Sequence, residues 1–205
     1  MTDMNFLDKN MNEFTWIFLA ALVLMIGIEL WLSLRQSHYV QANRGQVPSA
    51  FKEQVKLAAH QKAADYTVAK GKLNRIESVL GALFLLVWTL GGGLAWLSGA
   101  WQSAGWSTTL SGIVFILSFF VIGSLLDLPL SWYRTFVLEQ RFGFNNNTLP
   151  LYIADLVKQT LLMLIIGAPL IWGALILMES TGDYWWLYLW AAWIGFAILM
   201  MWAYP

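Results

Sequence analysis

Any chemistry in this sequence must come from few groups, since only 12% of its 205 residues are charged. The histidines are His38 and His60. They are too far apart to share a helical turn, and neither lies in an HExxH pattern, so the usual zinc spacing is missing. His60 and Asp65 fall on different faces of a helix. With no cysteine, disulfides, thiolate metal sites and a cysteine nucleophile are excluded. No GxSxG, P-loop or dinucleotide fingerprint occurs. Among the ionisable groups within or beside apolar runs are Glu29, Asp127, Asp155 and Lys158. A charge at bilayer depth is costly and needs a physical reason. Asp155 and Lys158 are spaced to pair on one helix face. For Glu29 and Asp127 two readings stay open: snorkelling or pairing with nearby basic residues, or facing a water-filled interior.

The densest polar stretch is FVLEQRFGFNNNT, Phe136 to Thr148. Gly143 can supply a positive φ between two phenylalanines. The asparagines and Thr148 suit a helix cap, and Pro150 fits the first turn that follows. Asn146-Asn147-Thr148 has the form of a glycosylation sequon, discounted because the topology below places it in the cytoplasm. The block holds no metal-ligand set, nucleophile or acid–base pair, so these residues read as a capped connector.

The elements that must position these groups are membrane helices. The chain is 59% hydrophobic and contains 13 tryptophans, well above the apolar share of soluble domains. Five apolar runs are long enough to span a bilayer: residues 14–34, 76–98, 106–130, 156–178 and 184–204, with connectors 35–75 and 131–155. The runs are continuous rather than alternating, and a lipid-exposed sheet edge cannot satisfy its backbone groups. The expected fold class is therefore all-α and integral to the membrane, with one further amphipathic helix on the surface. That helix is placed over Ser49–Lys72, where Phe51, Val55, Ala58, Ala59 and Tyr66 recur at helical spacing. The glycine run Gly91-Gly92-Gly93 is expected to permit close packing or a bend.

Charge orients the chain. Arg35, Arg44, Lys52, Lys56, Lys62, Lys70, Lys72 and Arg75 follow the first run, and Arg134 and Arg141 follow the third. The opposite side carries only Lys9. The positive-inside rule then predicts an outer (periplasmic) N-terminus and a cytoplasmic C-terminus. The first run is not a cleavable signal, because its positive charge follows the apolar stretch. Trp96, Trp101, Trp106, Trp185 and Trp186 mark the outer interface, and Trp31, Trp132 and Trp202 the inner one. The formal net charge is zero, so no nucleic-acid partner is expected; the lipid bilayer is.

FVLEQRFGFNNNT resembles the FVIE-x-RFGFN-x-T signature of the type I CAAX prenyl proteases, integral membrane zinc metalloendopeptidases. DLPLSWYRT at Asp127–Thr135 is similar to that family's lead-in. RQSHYVQANRGQVPSAF at Arg35–Phe51 and AHQKAADYTVAK at Ala59–Lys70 are similar to the first cytoplasmic connector of bacterial members. The resemblance implies a five-helix N-terminal membrane domain in a bacterial inner membrane. In the family this is followed by a zinc domain with HExxH and a downstream glutamate, and by two more helices enclosing a water-filled chamber. Zinc is thus implied for a catalytic half that has no counterpart up to Pro205, and no catalytic or metal residue carries over.

The chain alone is expected to be inactive and to serve as chamber wall and substrate access. Its implied partners are the missing catalytic domain or another subunit, with peptide substrate only in the complete enzyme. Glu139, Arg141 and Asn145 are expected to organise the connector, and Glu29 and Asp127 to face the chamber. The alternatives are a stand-alone membrane interaction or assembly protein, and a transport module.

Overall fold

A computed structural model of the chain describes residues 12–203. Lys9, and Tyr204 at the end of the fifth expected span, lie outside the described residues. All the regular structure described is helical.

Helix α1 is Glu13–Ala42. Asn12 caps it, its side chain accepting from the Thr15 backbone N–H at 2.9 Å, which satisfies one of the otherwise orphaned first-turn donors. The helix runs past the apolar segment that ends at Leu34. No proline or glycine interrupts Arg35–Ala42, so loss of hydrophobicity marks the edge of the lipid and not the end of the helix.

Helix α2, Leu57–Thr89, joins the connector helix and the second span in one rod. It begins at Leu57 rather than Ser49, after a 3-10 turn at Ser49–Phe51. Gly71 alone is too weak a breaker to divide it, costing only about 1 kcal/mol in a helix interior. The rod stops at the glycine run. Any Cβ on Gly91 would lie 2.7 Å from the Val87 carbonyl oxygen, and Gly92 adopts φ +78°, a region open to glycine. Helix α3, Gly93–Gln102, then starts, so the bend expected here is a complete break.

Helix α4 spans Thr108–Tyr133 and contains Pro129. A π-helical segment, Arg134–Glu139, follows directly. Pro129 cannot donate a backbone hydrogen bond, and the widened turn comes just beyond it. The helical path thus continues well into the stretch expected as connector. Helix α5 is Leu149–Ser180, with Pro150 in its first turn. Thr148 holds the N-cap position, although no side-chain capping bond forms there. Helix α6 is Trp185–Ala203, preceded by a 3-10 turn at Gly182–Tyr184.

Helices α1, α4 with its π segment, α5 and α6 with its leading turn are each long and apolar enough to cross a membrane; α2 and α3 taken together make a fifth span. Very few of the side chains in these spans are buried within the chain, as for surfaces that lipid covers. The protein is an integral membrane protein.

The chain divides into two compact units. One comprises the residues up to Gly91 together with Pro129–Asn145. The other comprises Gly92–Leu128 and the residues from Asn146 on. In the second unit α5 packs on α6. Small residues there let α4 and α5 approach: a methyl on Gly112 would lie 3.1 Å from Leu175, and one on Gly167 3.8 Å from Leu117.

Candidate functional site: a signature block docked on helix α2

The first unit is held by polar contacts between α2 and α1 with the residues that follow it, and those within α1 itself run in opposite order, as antiparallel neighbours require. Ser78 donates to Glu29. Arg75 donates to the Ser33 and Ser37 hydroxyls at 3.0 and 3.1 Å. His60 Nε2 lies 3.1 Å from the Asn43 carbonyl oxygen. Arg44 binds both carboxylate oxygens of Asp65, at 2.7 and 2.8 Å. Ser33, Ser37 and Gly71 keep the helix surfaces low, so that a long arginine reaches across.

Arg44 and Asp65 shift each other's titration. The hydrogen bonds from Arg44 hold Asp65 below the ordinary carboxylate value; partial burial opposes this, and the charges of Arg44 and Arg141 add to it. Asp65 in turn raises Arg44.

The part of the block in this unit, up to Asn145, folds onto the same helix. Its backbone ends the helical path in a Schellman motif: Phe144 N–H donates to the Glu139 carbonyl at 2.9 Å, and Gly143 N–H to the Gln140 carbonyl at 3.1 Å. The motif needs a left-handed residue just past the cap, and Gly143 supplies it at φ +66°. This geometry explains the order Arg-Phe-Gly-Phe. The glycine reverses the chain and sends the phenylalanines on either side of it towards α2. Phe142 joins Leu73 and Leu138 in a buried cluster with Tyr66, Ala69 and Leu130 against it. Tyr66 meets Phe142 and Phe144 edge-on, with centroids 5.4 and 4.8 Å apart. Lys62 stands 5.1 Å above the Phe144 ring. Just ahead of the block, Arg134 pairs with Glu77 and donates to Asn74 at 3.3 Å.

The candidate residues fall differently. Arg141 lies over Phe142 at 5.7 Å, with Asp65 within its electrostatic reach. Asn145 donates from Nδ2 to Gln140 at 2.8 Å, closing the turn on itself. Glu139 contributes its carbonyl to the cap and its side chain is half-buried. Glu29 is tied to Ser78, and Asp127 is exposed on α4. Asp155 and Lys158 pair at 3.6 Å as their spacing predicts. The partners on α2, namely Lys62, Tyr66, Leu73 and Glu77, were not identified from sequence. Only Tyr66, on the apolar stripe, carried a signal.

Among the described residues no group of three His, Asp or Glu is placed to hold a metal. These residues do not fit a zinc centre. What the arrangement does is fix one loop rigidly against one helix.

Helices of this length with a cap-and-aromatic block docked on the second of them define a multi-span α-helical membrane domain. The family described as CAAX prenyl protease N-terminal, five membrane helices, matches residues 36–205. The chain belongs to this family. A CAAX prenyl protease 1 homolog of Oryza sativa subsp. japonica is 27% identical over 203 residues, covering 91% of this chain and 45% of that protein. CAAX prenyl protease 1 of Saccharomyces cerevisiae is 28% identical over 162 residues, covering 73% of this chain and 35% of that protein. The crystal structure of S. mikatae Ste24p superposes with a TM-score of 0.82 at 24% identity, covering 93% of this chain and 46% of that one. That likeness shows the fold. The chain spans less than half the length of these relatives.

Proposed function

We propose that this domain is the non-catalytic membrane portion of a CAAX-prenyl-protease-like zinc metalloendopeptidase. It forms part of the wall of a chamber and the route by which a peptide enters. The observation that carries the reading is the family match over residues 36–205. The relatives' additional length leaves room for a catalytic half, and zinc belongs to that half in this reading. A catalytic domain or another subunit would supply the metal, the base and the remaining helices. Its chemistry would be polarisation of a scissile carbonyl and activation of water.

In this reading the docked block is the platform on which the catalytic half rests. Glu139, Arg141 and Asn145 present its polar face, and Asp127 and Glu29 face the chamber. The basic end of α1 and α2 lies in the cytoplasm of a bacterial cell, with the N-terminus outside the inner membrane. The concentration of lysine and arginine at that end supports the orientation.

The test is reconstitution. The chain is purified alone, and also joined to an HExxH-containing catalytic half of the same family. Zinc content and cleavage of a prenylated peptide are measured for both. The joined protein is expected to cleave in a zinc-dependent manner and the chain alone to do neither. Stoichiometric zinc with cleavage by the 205-residue chain would overturn the reading. So would a joined, folded and zinc-loaded protein that remains inert.

A further inference from the structure

Beside the docked block, α2 borders an open cleft of about 960 Å³ whose lining includes Asp65, Lys72, Tyr133 and Arg141 above an apolar floor. A second cleft of about 520 Å³ is lined by Leu30, Lys72, Arg75, Ile76, Val79 and Leu80. Lys72 and Ile76 line both, so the two form one furrow. Positions 72, 76, 79 and 80 recur at the spacing of a single helix face. The furrow therefore begins among bases and descends along apolar side chains into the spanning part of α2.

Its charge is unbalanced. Asp65 is the one carboxylate on the lining, and both its oxygens are taken by Arg44. Arg75 hydrogen-bonds to neutral hydroxyls, which leaves its charge uncompensated. Lys72 and Arg141 form no ion pair among the described residues. Glu29 faces Ser78 and lines neither cleft. A site with clustered cations at its mouth and a greasy wall below suits a negatively charged head on a long hydrocarbon chain. Basic pockets between membrane helices take such lipids, and the lysine and arginine stems let the charges reach headgroup level.

We propose that this furrow holds one anionic phospholipid, with its phosphate between Lys72 and Arg141 and an acyl chain along Ile76, Val79 and Leu80. The occupant comes from the surrounding leaflet.

The test uses the full chain in phosphatidylcholine nanodiscs doped with phosphatidylglycerol, with retained lipid counted by native mass spectrometry. One phosphatidylglycerol per chain is expected to survive in preference to phosphatidylcholine. Lys72→Gln and Arg141→Gln should each cut that preference about fivefold, and together abolish most of it. Lys72→Arg should keep it, which separates lost charge from lost fold. Lys56→Gln, a connector lysine outside the furrow, should leave it unchanged. The proposal is overturned if the double variant retains the preference. It also fails if Lys56→Gln costs as much, for then the connector attracts anions diffusely. Equal competition by water-soluble glycerol phosphate overturns it too, since the site would then read a free anion and no chain.

Discussion

The two compact units hold their helices in different ways. In the first, α1, α2 and the stretch Pro129–Asn145 are tied by contacts between residues far apart in sequence: Glu29 with Ser78, Arg75 with Ser33 and Ser37, Arg134 with Glu77, Tyr66 with Phe142 and Phe144. In the second, local side-chain bonds recur along the helices. Asp155 meets Lys158, Ser118 bonds to the Val114 carbonyl, and Thr160 to the Leu156 carbonyl. There the helices approach through glycine and leucine. Directional contacts fix one geometry, whereas small-residue packing in lipid tolerates neighbouring ones. The directional contacts lie in the unit that carries the Arg-Phe-Gly-Phe turn.

Substitutions in matched pairs break or sharpen this contrast. The largest effect should come from Phe142→Ala, which removes a ring from the buried cluster of the first unit. A loss of about 3 kcal/mol is expected by denaturant unfolding in detergent. Ile165→Ala in α5, where Ile165 is 67% exposed, should change stability by less than about 0.5 kcal/mol. Comparable losses at both positions would erase the distinction.

Next comes Gly143→Ala. Its Cβ would have room, with Lys62 Nζ 3.6 Å away, so the cost arises from φ +66° alone. It should be about 1 kcal/mol. Gly173→Ala in α5, where nothing lies within 4 Å, should instead stabilise by up to about 1 kcal/mol. The opposite signs are the informative result, read as shifts in melting temperature.

A double-mutant cycle on Arg134→Gln and Glu77→Gln should give a coupling of about 0.5 kcal/mol, discounted because both side chains are about one-third exposed. Asp155 and Lys158, at 46–68% exposure, should give a coupling indistinguishable from zero.

The smallest effect is in pH. Asp65 sits below its ordinary value because Arg44 favours the carboxylate. Its contribution to stability is therefore complete above the unfolded-state value near ~4 and disappears as pH falls through the lower folded value. Asp65→Asn should flatten stability over that acid window, with no change in its slope near neutrality.

Much of the fold could be read from the sequence, because continuous apolar runs report lipid directly. Helix ends were harder. Arg35–Ala42 and Leu57–Arg75 are polar but helical, since nothing in them breaks a helix and hydropathy records the solvent around it. The broken glycine run was visible as an irregularity, but its consequence depended on how closely the Gly91 backbone approaches Val87. The signature block was legible as a mark of family and as a capped turn, because Gly143 and its flanking phenylalanines are local chemistry. Its docking on Lys62, Tyr66 and Leu73 was not, since those partners lie far upstream and share no motif with it. Arg44 and Asp65 were likewise seen only as separate charges.

The central structural claim, that the block is fixed against α2, has a direct measurement. The chain has no cysteine, so Tyr66→Cys with Phe144→Cys gives a background-free pair at a contact where the ring centroids stand 4.8 Å apart. In native membranes a short bifunctional thiol reagent should join the two within one chain, and each single variant should show none of this product. If both cysteines take up a monofunctional label and yet no internal cross-link forms, the block does not rest on α2 and the account is wrong.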